Sequence, residues 1–440
     1  MKLSHSDFRT KLGNGSFKFP GALLPYSEID PIKFRQLEAS HVKSGKSFAH
    51  ALGKIRNRVD RDQFGKIYAL QTRTLSHASR AFPSYRFIVS EVIANDWLAS
   101  VDWRKFHRDH VVHQPQVAYV LLSLLDKLII EDRPLIEHCL DNVLRLVRTG
   151  YLGATLRSMG IADNDPYITD NPLARFLWRG VFRETAFLAA LFHDIGYPWQ
   201  YVNRMEAKLP SAHDGRHPVT PHCTAILSEF ENRLVLLPFE GYKNSTTGRP
   251  SNWMQEKLSL IQKCLCESHG LPGALFFLYL NDRVRPYPIE RKHPVRRLCV
   301  EWAAMAILMH DLQPAYWENS SEKVLNPHLR LKLEVDPLSC ALTLADTVQD
   351  FERHLAKFSR ESNEKLRVEY PIACCATDVD YDDRKKEIKI TYIMNTTADT
   401  VLKKSYMPED ARLLFDPIRG FVDLSACGVK HVTMEARTGP

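Results

Sequence analysis

The stretch Glu184–Gln200, "ETAFLAALFHDIGYPWQ", decides how the chain is read. Phe187, Leu188, Leu191 and Ile195 recur at helical spacing and mark a buried face, and Gly196 and Pro198 stop the helix. His193 and Asp194 therefore fall in its last turn, where packing alone would favour two more aliphatic side chains. Neighbouring helical residues point about 100° apart, so both reach one ion only if it sits at the helix rim. A pair cannot fill a metal shell, and the remaining ligands must come from other helices.

Candidates of the same form occur elsewhere. His113 opens "HQPQVAYVLLSLL", with Val117, Val120, Leu121, Leu124 and Leu128 continuing its face. His269 lies in "ESHGLPGALFFL", and His310 ends "EWAAMAILMH", where Ala303 and Ala306 allow close helix approach. Asp346 follows Leu338 and Leu342 at helical spacing, which predicts a carboxylate on an apolar face. Unpaired there, it would cost several kcal/mol, so something positive should face it. Taken singly, each has a plainer reading: a hydrogen-bonded core histidine, or an Asp paired with Arg353. The joint order H…HD…D, each member inside an apolar helix, is what points to a metal.

That order resembles the HD superfamily of metal-dependent phosphohydrolases. "RDHVVHQPQVAYVLL", "AFLAALFHDIGYP" and "DPLSCALTLADTVQDFER" carry the resemblance, over roughly residues 91 to 365. It implies His113, His193, Asp194 and Asp346 as metal ligands, with His269 and His310 as the two further histidines of a dinuclear member. His222 in "TPHCTAIL" competes for one of those two places. His138 is nearer than His113 to the HD pair and competes for the first ligand. His113 is preferred because His113, Val117 and Ala118 match the family's H-x-x-x-V-A pattern.

The resemblance implies hydrolysis of a nucleotide phosphoester or phosphoanhydride by a metal-bound hydroxide. One or two divalent ions (Mn, Fe, Co, Ni, Zn or Mg) would serve, and the sequence does not choose among them. Asp194 would bind or bridge metal and orient the attacking group. His269 and His310 would hold a second ion or, beside a single ion, contact phosphate and protonate the leaving group. Arg108 and Arg353 are candidate phosphate clamps, with Arg104 and Lys105 nearby, and Tyr197 and Trp199 are candidates to stack on a base. Two enzyme readings stand level: a deoxynucleoside triphosphate triphosphohydrolase and a phosphodiesterase of cyclic or signalling nucleotides. The alternative is a non-catalytic HD-fold module that senses nucleotides or acts as a scaffold.

Composition frames these expectations. Of 440 residues, 44% are apolar and 25% charged, as in ordinary globular proteins. Fifty-nine basic against 52 acidic residues give a formal charge of +7, which suits a nucleotide or other phosphorylated small molecule. Nucleic acid is a less favoured partner, since no aromatic-interleaved basic stripe appears; a homo-oligomer is compatible with the sequence. "MKLSHSDFRTKLGNGSFKFP" lacks an apolar signal core, and "AYVLLSLLDKLII" is broken by Asp126 and Lys127, so no membrane association is expected. Nine cysteines without a framework suggest reduced thiols and a cytoplasmic setting.

The expected fold is mainly α, an HD-type helical bundle with a small C-terminal β or α+β appendage. The expected division is a mixed or helical N-terminal region at 1–90, the phosphohydrolase domain at 91–365 and the β-rich appendage at 366–440. In the last, "DYDDRKK" reads as the turn between two strands, with "GFVDLSAC" and "KHVTMEA" as further short ones.

Overall fold

The computed structural model describes residues 1–13, 110–196, 269–284, 294–312, 330–350, 357–359, 367–369, 374–397, 400–401, 404 and 414–439. Among them the chain is mainly helical, with one four-stranded sheet and three two-stranded ribbons. The helices are α1 (His5–Gly13), α2 (His110–Lys127), α3 (Leu135–Thr149), α4 (Tyr151–Ser158), α5 (Pro172–Phe192), α6 (Gly270–Val284), α7 (Pro294–Met309) and α8 (Pro337–Val348). None is long and apolar enough to cross a membrane.

Helix α5 is the axis of the bundle. Asn171 starts it by accepting a hydrogen bond from the Ala174 amide at 2.7 Å, and Pro172 supplies a first-turn residue with no amide hydrogen to satisfy. Every side chain from Glu184 to Phe192 is buried, because α2, α3, α7 and α8 all pack on it. Trp178 and Phe182 of α5 meet Trp302 of α7, with ring centroids 6.4 and 5.7 Å apart. Truncating such a buried aromatic typically costs about 3–5 kcal/mol, so this contact sets the relative placement of α5 and α7 firmly. Helix α8 begins at Asp336, whose carboxylate accepts from the Ser339 amide at 3.1 Å ahead of Pro337, and it packs on α2, α5 and α7.

The turn after α5 is tightly constrained. A Cβ on Gly196 would lie 1.9 Å from the His269 carbonyl oxygen, so only glycine lets this turn meet the start of α6. Gly270 similarly admits the end of α7: a Cβ there would lie 2.8 Å from the Ile307 carbonyl oxygen. The end of α5 is also tied to α2. Buried Gln114, with its amide set to satisfy both bonds, donates to the Leu191 carbonyl and accepts from the Ile195 amide.

The sheet orders its strands β1 (Lys2–Ser4), β7 (Cys374–Asp382), β8 (Glu387–Met394) and β10 (His431–Thr438). β7 and β8 form an antiparallel hairpin around the acidic–basic turn that the sequence marks, with a bulge between Cys374 and Ala376. β10 runs parallel to β8, and the N-terminal strand β1 runs antiparallel to β7. The first residues of the N-terminal region thus complete the sheet of the C-terminal one. The ribbons are β2 (Ile129–Ile130) with β3 (Arg133–Pro134), β4 (Leu331–Lys332) with β9 (Val422–Asp423), and β5 (Lys357–Ser359) with β6 (Arg367–Glu369). The β4–β9 pairing and the Tyr392 hydroxyl, which donates to the Thr347 carbonyl at 2.8 Å, join the sheet region to α8.

Candidate metal centre

Five helices bring one end each to a single place. His113 lies in the first turn of α2, and His269 immediately precedes α6. His193 and Asp194 follow the end of α5, His310 follows the end of α7, and Asp346 stands in the last turn of α8. Three helix C-termini therefore face the cluster, and their partial negative charges favour a cation there.

The polar atoms converge closely. His113 Nε2 is 2.9 Å from Asp346 Oδ1, 3.2 Å from His193 Nε2 and 3.5 Å from Asp194 Oδ2. His193 Nε2 is 3.3 Å from Asp194 Oδ1 and 3.5 Å from Asp346 Oδ1. On the far side, His269 Nε2 is 3.0 Å from Asp194 Oδ1 and 3.3 Å from His310 Nε2. Ligands about 2.1 Å from a common ion lie about 3.0–3.4 Å from one another, so these spacings are those of a coordination shell. All but one of the six side chains are buried. Asp346 is 29% exposed, so the carboxylate expected to be buried on an apolar face is only partly so: the last turn of α8 lies at the rim of the apolar core.

The outward ring nitrogens explain the inward ones. His193 Nδ1 donates to the Ala190 carbonyl at 2.8 Å, and His310 Nδ1 donates to the Ile307 carbonyl at 2.6 Å. His113 Nδ1 donates to Gln349 Oε1, whose amide is oriented by donating in turn to Gln116 Oε1 at 2.7 Å. His269 Nδ1 lies 3.0 Å from Asp311 Oδ2, an ion-pair distance. For His113, His193 and His310 the acceptor is an oxygen without a hydrogen, so each neutral imidazole must carry its proton on Nδ1 and turn the Nε2 lone pair inward; the carboxylate beside His269 Nδ1 favours the same arrangement. Such outer partners are what fix a metal-binding histidine. Four nitrogen lone pairs and two carboxylates in contact are mutually repulsive unless something positive sits among them.

Protons fill that role when no ion does. Burial opposes charge on His193, but Asp194 and Asp346 outweigh it and raise its pKa to about 9. His269 moves up as well: burial opposes this, and Asp311 and Asp194 overcome it. Burial pulls His310 down to about 4, helped by the neighbouring His193 and His269. The donor set thus fits a divalent cation, and groups such as His113, His193 and Asp346, or His193, Asp194 and His310, can hold a metal ion.

Compared with family models, curated proteins and solved structures, the chain finds no match.

The structure brings His113, His193, Asp194, His269, His310 and Asp346 together. His138 is elsewhere: it sits on α3 and bonds the Ile130 carbonyl at 2.9 Å, a core contact inside the α3–ribbon packing. Arg104, Lys105, Arg108, Tyr197, Trp199, His222 and Arg353 lie outside the described residues. Sequence reasoning passed over the outer partners Gln349, Gln116 and Asp311. Their signals were modest: Gln349 stands three residues after Asp346, and Asp311 repeats after His310 the H–D adjacency of His193 and Asp194.

Proposed function

We propose that the cluster is a two-metal centre and that the protein is a metal-dependent phosphohydrolase built on an HD-type helical bundle. The observation that carries this reading is the convergence of four Nε2 atoms on two carboxylates, three of the rings held by a hydrogen bond at Nδ1 and the fourth lying with its Nδ1 3.0 Å from the Asp311 carboxylate. The two triads named above share His193, and one imidazole nitrogen serves one ion. One division that uses every donor once would give His113, His193 and Asp346 to one ion, and His269 and His310 to the other. Asp194 would serve both halves, since its Oδ2 lies 3.5 Å from His113 Nε2 and its Oδ1 3.0 Å from His269 Nε2.

Ions held there would lower the pKa of bound water toward neutrality and polarise a phosphoryl oxygen. The chain's own residues supply the rest. Asp194, fixed between the two halves, holds both in register and offers an oxygen to orient a water. The buried imidazoles exclude bulk solvent on the core side, while part-exposed Asp346 marks the side from which a phosphate would arrive. The substrate class is a nucleotide or other phosphorylated small molecule. The six-donor set favours the phosphodiesterase version over the mononuclear triphosphohydrolase, since six donors are more than one small ion ordinarily takes from protein alone.

The test is elemental analysis of the unchelated full-length protein, with turnover of bis(p-nitrophenyl) phosphate, cyclic nucleotides and deoxynucleoside triphosphates in added Mn²⁺. About two ions per chain are expected. His193→Ala should lose metal and turnover; His138→Ala should keep both and cost about 1–3 kcal/mol of stability from its lost core bond. A metal-replete protein that turns over none of these substrates would leave a nucleotide-sensing or scaffolding module. No metal in native protein, even after adding Mn²⁺ or Ni²⁺, would overturn the centre itself.

A further inference from the structure

Asp311 stands one residue past His310, beyond the end of α7, and reaches across to the start of α6. One of its oxygens, Oδ2, accepts from the His269 amide at 2.7 Å and the Gly270 amide at 3.0 Å, and lies 3.0 Å from His269 Nδ1. The approach depends on Gly270, where a Cβ would lie 2.9 Å from the Asp311 Cβ. The other three histidines give their Nδ1 hydrogens to neutral oxygens: Gln349 Oε1 and the carbonyls of Ala190 and Ile307. His269 Nδ1 instead faces the Asp311 carboxylate.

Resting on the two-metal reading above, we infer that Asp311 is the positioning residue of the second ion's half-site, holding His269 beside His310 to take a divalent cation. Three physical effects combine in it. A carboxylate 3.0 Å from Nδ1 favours the hydrogen on that nitrogen and the lone pair on Nε2, and its charge makes Nε2 a stronger donor than a neutral neighbour would. Accepting from the His269 and Gly270 amides satisfies free hydrogens at the start of α6 and cancels the positive end of that helix, which would otherwise repel an ion placed beside it. Being covalently next to His310, Asp311 also ties the orientation of His269 to that of its fellow ligand. The covalent link runs to His310 and not to His113 or His193, so loss of the Asp311 charge should weaken the half of His269 and His310 more than the other.

The experiment is a Co²⁺ titration of chelated full-length protein, followed by visible absorption and checked by elemental analysis. It compares native protein with Asp311→Ala and Asp311→Asn, with thermal denaturation of each. Asp311→Asn keeps an oxygen for the two amides and so preserves the cap while removing the charge. Native protein should bind two Co²⁺ in two phases. Both variants should keep the first phase and weaken the second by about 10–100-fold, the usual effect of losing an outer partner. Two phases of native affinity in both variants would overturn the inference. So would an equal weakening of both phases in Asp311→Asn together with a lowered melting temperature, which is the behaviour of a cap and nothing more. Native protein that takes up no Co²⁺ would instead overturn the metal centre itself, and this is seen before any variant is made.

Discussion

At the scale of the residue, the centre is a contest between burial and charge. His193 is fully buried yet holds a proton to about pH 9, because two carboxylates stand within 3.5 Å of its Nε2. A histidine whose pKa rises on folding stabilises the fold fully below its unfolded value near 6.5, and loses that contribution as pH climbs through about 9. His269 acts in the same direction. His310, pushed down to about 4, acts oppositely: its contribution is present above about 6.5 and fades as pH falls through 4. Chelated protein should therefore melt highest near pH 6.5 and lose stability toward both pH 9 and pH 4. Saturating metal should remove the alkaline loss, since ions replace the protons. A melting temperature of chelated protein that stays level from pH 6.5 to 9 would contradict the electrostatics assigned to His193.

At the scale of the element, the centre exists because three helices end and two begin at the same level. Asn171 and Asp336 fix where α5 and α8 begin, and the Trp178–Trp302 contact fixes how α5 and α7 lie against each other. What brings α6 into the set is the absence of side chains at Gly196 and Gly270. Gly196→Ala would drive a methyl into the His269 carbonyl, and relief requires α6 to move away from the turn after α5. The expected cost is about 1–3 kcal/mol in urea denaturation. Because the His269 backbone moves with α6, metal content should fall from about two ions to about one. Unchanged stability and full metal content in this variant would mean that the turn yields without disturbing His269.

At the scale of the whole molecule, the sheet is part of the centre's support. Tyr392, in the interior strand β8, donates its hydroxyl to the carbonyl of Thr347, next to Asp346 and two residues before Gln349. The same α8 end therefore offers one candidate ligand to the ions and one partner to His113, and the sheet holds it from behind. Tyr392→Phe removes only that hydroxyl. It should cost about 1–2 kcal/mol and weaken the first ion's binding, the half-site of His113 and Asp346, while sparing the second. Isothermal titration with Mn²⁺ reads this directly, and equal weakening at both halves would show that the bond serves global stability alone.

The sequence by itself determined the helices and the identity of six converging side chains. Apolar spacing in "ETAFLAALFHDI" and "LSCALTLAD" is a local property, and a polar residue interrupting it is visible without any partner. The hairpin around the turn after Asp382 was legible for the same reason, since alternation and turn chemistry are local. The sequence preferred His113 to His138 on a short pattern alone, and the tertiary structure separates the two by their surroundings. What differs is the neighbour: a carboxylate and a second imidazole for one, a backbone carbonyl for the other. Only the tertiary structure decided the parts played by Asp311, Gln349 and Tyr392, and by the β1 strand that closes the sheet. Each acts on a residue many positions away, across contacts that no periodicity in the chain encodes.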